Sequence, residues 1–187
     1  MRRLLCAIFI AATATFSAES PQAAELRRVA EVASVMLDGD VCLRIETPRS
    51  KDFANLKDPR DPWRYGDNYD VDGAAFNQTK KTLIRLSRLC QHACDVNLWM
   101  PVDSDLASVQ IVIRNVHEIS QFWKWGDMRQ PMPSEMARVL KTATRVTVQH
   151  QPDIVSVLAP VFDSLNNVVG VAEVVGKTAP DPRGNVK

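Results

Sequence analysis

The sequence predicts an α+β protein: five antiparallel strands in one sheet, covered by helices, with a further helix ahead of them. Three observations predict it. Two Val- and Ile-rich runs, 154–162 and 168–175, flank a polar turn. Two shorter stretches, 95–102 and 109–113, alternate apolar and polar residues. Segments with helical spacing precede and separate them.

The terminal pair is the strongest element. Branched side chains suit a pleated surface. Asp163, Ser164, Asn166 and Asn167 supply a turn, because Asn and Asp tolerate left-handed backbone and bond their own main chain. Both faces of both runs are apolar, so this hairpin is expected at the centre of the sheet, with one face under helices.

Earlier in the chain, residues 25–37 place Leu26, Val29, Ala33 and Met36 at helical spacing. Residues 41–45 fit either a resumed helix or an extended piece. Residues 51–73 are irregular, broken by proline and glycine, with Trp63 and Tyr65 expected to pin them by packing. Residues 76–93 form the best helical pattern, with Leu83, Leu86, Cys90 and Ala93 in one stripe and Lys80, Lys81, Arg85 and Arg88 solvated. In 95–102, Val96, Leu98 and Met100 make an apolar face against Asn97, Trp99 and Pro101. Helices are expected at 118–125 and, capped by Ser134, at 135–141. A short strand at 145–148 leads into the terminal hairpin.

Length and composition bound the rest. At 187 residues the chain suffices for one domain with its own core. A net charge of +1 gives no electrostatic reason to bind nucleic acid or an anionic membrane. Met1-Arg2-Arg3, the apolar run 4–16 and the small residues to Ala24 have the layout of a secretory signal, assigned to residues 1–23. Cleavage fits after Ser20 or near Ala23-Ala24. The expected location is periplasmic or secreted. No later run is long enough for a membrane span. Residues 24–74 then hold the first helix and the irregular loop, and 178–187 a frayed tail. Export permits one disulfide among Cys42, Cys90 and Cys94. Cys90 with Cys94, and Cys42 with either, all remain open.

The stretch V-L-K-T-A-T-R-V-T-V, followed by V-S-V-L-A-P-V-F-D-S-L-N-N-V-V-G-V-A-E-V-V, resembles the PAS, Cache and GAF group of sensor domains. Pro160, Asp163, Gly170 and Val171 stand at that group's marks, and the resemblance covers about residues 75 to 177. It implies a PAS/GAF-like sheet. Together with the signal it favours an exported, Cache-like module that binds a small molecule, has no catalysis of its own and needs no cofactor. It also implies a signalling partner, exported or in a membrane. In such a fold the helices after the second strand line the ligand cavity. Trp123 and Trp125 would stack on a flat ligand, with Trp99, Gln110 and Arg114 on the sheet and Ser156 on the terminal hairpin.

A second chemistry is weighed at Cys90-Gln91-His92-Ala93-Cys94. Haem attachment needs the His directly after the second Cys, which this order does not supply. A periplasmic haem- or metal-binding redox protein using Cys90, His92 and Cys94 remains the alternative, though no fourth ligand for a metal is evident. His92, His117 and His150 stand beside no nucleophile motif.

Overall fold

The computed structural model describes residues 20–48, 73–115, 117–124 and 129–178. Most of the expected secretory signal (residues 1–19), most of the expected irregular loop, with Trp63 and Tyr65, as well as Trp125 and residues 179–187 lie outside them, while residues 20–23 of the expected signal are described.

The fold is α+β, built on a six-stranded antiparallel sheet. The strands are β1 (Cys94–Pro101), β2 (Ser108–Ile113), β3 (Arg129–Pro131), β4 (Val146–Gln151), β5 (Ile154–Phe162) and β6 (Val168–Lys177). Their spatial order is β3-β2-β1-β6-β5-β4. Both strands of the terminal hairpin are internal, as their two apolar faces require. Its turn places Asn166 in left-handed backbone, and Asp163 accepts from the amides of Leu165 and Asn167. The sixth strand is β3, three residues long. It lies between the two helical segments expected at 118–125 and 135–141, where no strand was expected.

The helices are α1 (Pro21–Met36), α2 (Gly39–Leu43), α3 (Ala74–Ser87) and α4 (Ser134–Thr142). Ser20 caps α1 through its side chain, with Pro21 in the first turn, so the helix starts five residues before its apolar stripe. Asp38 caps α2 and decides the open reading of residues 41–45. Helix α3 stops at Ser87 rather than near Ala93. Cys94 already pairs with Gly176 across the sheet, so the chain must leave the helix before it. Cys90 and Cys94 are joined in a disulfide across that exit, with Cα atoms 6.4 Å apart. Among the described residues Cys42 is the free thiol, and burial pushes its pKa up to about 12.

Helices cover both faces of the sheet rather than one. Leu26 of α1 packs against Gly176, on the face that also carries Ala172 and Val174. Helix α4 contacts β4, β5 and β6. On β4 only Val146, Val148 and His150 are turned inward, while Thr147 and Gln149 are exposed, so α4 sits on the opposite face from α1. No described helix is long and apolar enough to cross a membrane.

The expected helix at 118–125 does not form over residues 118–124. Side chains capture its backbone donors. Asp95 accepts from the amides of His117 and Ile119 at 3.0 and 2.9 Å, and Ser120 Oγ from the amide of Phe122 at 3.3 Å. Glu118 has φ 53°, a left-handed conformation no α-helix contains. An irregular segment therefore covers this part of the sheet.

Helix α2 is seated on the far end of the hairpin by backbone approach. A Cβ added at Gly39 would lie 2.4 Å from the Phe162 carbonyl oxygen. Gly39→Ala is therefore expected to cost about 1–3 kcal/mol through overpacking. A urea melt should show a lower midpoint with an unchanged slope, and an unchanged midpoint would refute this account of the contact.

Candidate functional site

The site is built around one acid. Strand β6 reads V-V-G-V-A-E-V-V-G-K, and its single acid, Glu173, is fully buried. The register places Asn97 and Leu158 directly opposite it on β1 and β5. By alternation, Asp95, Asn97, Trp99, Ser156 and Glu173 share the face covered by the irregular segment and α4.

Four side chains donate to the Glu173 carboxylate. Trp99 Nε1 and Asn97 Nδ2 reach Oε2 at 2.9 and 3.2 Å. Ser156 Oγ reaches Oε1 at 2.8 Å. Ser120 Oγ lies 2.7 Å from Oε2 and 2.9 Å from Oε1. Two strands flanking β6 and the covering segment thus converge on a single group. A carboxylate has about four lone-pair positions, so the donor set matches its acceptor capacity. Burial pushes the Glu173 pKa up, against the four hydrogen bonds that pull it down.

The network extends in two directions. Outward from Ser156, His150 Nε2 lies 3.0 Å from Oγ. His150 is half-buried, and the ring of Phe122 meets it edge-on, with centroids 4.7 Å apart. Burial lowers the His150 pKa, while Glu135 on α4 acts to raise it. Along the covering segment, Asn97 Oδ1 accepts from the Asn115 amide at 2.9 Å. Beyond it, Asp95 holds the amides of His117 and Ile119 and lies 3.0 Å from His117 Nδ1.

The structure divides the six residues expected to bind a ligand. Trp99 and Ser156 meet at Glu173. Arg114 and Trp123 meet each other, with the guanidinium carbon 4.5 Å from the ring centroid and Glu118 3.5 Å from the guanidinium. Lys80 donates to the Arg114 carbonyl. Gln110 pairs with Met100, so it lies on the face opposite Trp99, and its amide meets Glu46. Trp125 lies outside the described residues. The even-numbered residues of β1 do form an apolar face, but its odd-numbered face is buried too.

Glu173, Asn97, Ser120 and His150 were not legible as a site. The available signal was an acid inside a valine run. Its meaning needed the register, because only pairing brings Asn97 and Ser156 to it. At the other candidate, the two sulfurs wanted for a metal are bonded to each other. Among the described residues no group of three or more His, Cys, Asp or Glu side chains could hold a metal ion.

No protein-family model, curated protein or solved structure matches this chain.

Removing the carboxylate should expose its importance. Glu173→Ala strands four buried donors, each costing about 1–3 kcal/mol when unpaired, so a loss of at least about 3 kcal/mol is expected. A further effect is pH-dependent. The folded state raises this pKa above its ordinary 4.5, so it binds the proton more tightly than the unfolded chain. That contribution to stability is complete below the ordinary value and is lost as pH rises through the folded one. Glu173→Gln is expected to remove this alkaline-going loss. Chemical melts across that range check it, and an identical slope in both proteins contradicts the assignment.

Proposed function

We propose that this chain is an exported sensory module of the PAS, Cache and GAF kind. In this reading it binds a small molecule, catalyses nothing itself and works in the periplasm or as a secreted protein. Its response passes to another exported or membrane-bound signalling protein. The observation that carries the reading is the sheet face around Glu173. There, polar side chains from three adjacent strands converge beneath a cover in which irregular chain stands beside α4. Such a cover is held by a few side-chain hydrogen bonds, and those are the kind of contact a ligand can replace. The Arg114–Trp123 stack, at one end of that cover, offers a flat cationic surface to a planar or anionic group. Within the group, the secretory layout of residues 1–23 favours the Cache-like end.

The resemblance marks Pro160, Asp163, Gly170 and Val171 support the same reading, since they set the shape of the central hairpin. Gly170 lies against the Trp99 carbonyl, where an added Cβ would come within 3.0 Å. The mark therefore coincides with the strand pairing that positions Trp99.

The test is a thermal-melt panel of small carboxylates, amines and aromatic metabolites on the purified protein. A true ligand at a hundred times its Kd stabilises by about 2.7 kcal/mol, which is a rise of several degrees for a domain of this size. That rise should disappear in Arg114→Ala. A panel with no rise in melting temperature argues against the small-molecule reading.

A further inference from the structure

We propose that His150, Ser156 and Glu173 form a proton-binding relay, in which the half-buried imidazole passes a proton through one hydroxyl to the fully buried carboxylate. The inference rests on the same site as the sensory reading and names a stimulus for it, the proton.

The geometry of the carboxylate is the starting point. Its two oxygens face different partners. Oε2 faces Trp99 Nε1 and Asn97 Nδ2, which can only donate, and shares the Ser120 hydroxyl with Oε1. A proton on Oε2 would meet two others. Oε1 faces the hydroxyls of Ser156 and Ser120, which can donate or accept. Oε1, with no obligate donor on it, is therefore the oxygen better placed to house a proton, and Ser156 is the hydroxyl that connects it to His150.

Ser156 is bonded on both sides, with Glu173 Oε1 at 2.8 Å and His150 Nε2 at 3.0 Å. It has one proton to give. When Glu173 is ionised, Ser156 donates to it, and His150 must then carry its proton on Nε2 and donate to Ser156. Uptake of one proton from solvent at His150 Nδ1 makes the imidazolium. The Nε2 proton then moves to Ser156 Oγ as the Ser156 proton moves to Glu173 Oε1. Uptake forms the N–H at Nδ1; the transfer then breaks one N–H, at Nε2, and one O–H, at Ser156, and forms two O–H bonds, at Ser156 and at Glu173, so the net result is a neutral acid with His150 neutral again, now protonated on Nδ1. Ser156 ends as donor to Nε2.

The chain holds one extra proton well and two badly. With Glu173 and His150 both protonated, Ser156 would accept from each side, and neither neighbour would remain to accept its own proton. His150 and Glu173 therefore titrate as a coupled pair. The charged and titratable groups around the relay are few. Glu135 at the start of α4 favours the imidazolium. Asp95 and His117 pair at the other end of the covering segment, with Asp95 on the same face of β1 as Asn97. Burial makes the proton-bound carboxylate the easier one to enclose. The cover, which Ser120 ties to both Glu173 oxygens and Phe122 ties to His150, is accordingly firmer on the acid side and looser on the alkaline side.

The experiment is an NMR pH titration of the full chain, following the Trp99 indole N–H and both His150 ring nitrogens. The expected result is one shared midpoint, at which His150 changes from the Nε2–H to the Nδ1–H tautomer as pH falls. Protection of the Phe122 amide should fall about tenfold above that midpoint. Separate midpoints, or a single His150 tautomer throughout, overturn the proposal. In Ser156→Ala the Trp99 signal should stop following His150, and continued tracking would also overturn it. Should Ser156→Ala fail to fold, His150→Gln, altered at a half-buried position, serves instead. It should erase the Trp99 step at the wild-type midpoint, and persistence of that step counts against the relay. A ligand panel without effect alongside a shared midpoint would remove the small-molecule reading and keep this one.

Discussion

The burial of one carboxylate governs much of this molecule. Glu173 stands in the middle of the longest strand of the sheet, where water cannot reach it. A polar group so placed must find partners inside the protein. Asn97 and Trp99 supply two from the neighbouring strand, Ser156 a third from the other side, and Ser120 a fourth from above. A one-residue slip of β1 against β6 would turn Asn97 to the opposite face and replace it with an aliphatic neighbour. The acid thus selects a register among valine-rich strands whose apolar residues alone would accept several.

The same demand shapes what lies over the sheet. Residues 117–122 contain apolar residues at spacings compatible with a helix. Their amides are taken instead by Asp95 and Ser120, and their direction by the left-handed Glu118. Local hydrogen bonding won over periodicity because the sheet below needed Ser120 pointing inward. The disulfide at Cys90–Cys94 serves an analogous end at the start of β1, fixing where α3 yields to the strand.

Much of the architecture was legible in the residues. The terminal hairpin, its Asn-containing turn, the β1–β2 pair and α4 follow from alternation, turn chemistry and capping. The helix at the start followed from its stripe, although its cap at Ser20 was not recognised. Three features were not legible. The three-residue β3 has too few positions to show a period. The second helical layer depends on which face α1 and α4 choose, and both faces of β5 and β6 were equally apolar. The site depended on long-range pairing: Glu173 is separated by 76 residues from Asn97 and by 53 from Ser120. Trp99 and Ser156 were selected for contact with a ligand, yet their partner is a side chain of the protein itself. Gln110 lies across the sheet from Trp99 because the irregularity at Leu98/Trp99 shifts the alternation of β2 against β1.

The two borders of the sheet are unequal. At one side β3 offers three residues and ends in Pro131, which has no amide hydrogen to give. At the other, β4 runs for six residues with polar Thr147, Gln149 and Gln151 turned to solvent. Fibril growth by stacking strands edge to edge needs a receptive border on each side of every added molecule. Among the described residues the sheet presents a longer one on the β4 side alone, so even a partly misassembled population would stall at short, capped species instead of elongating.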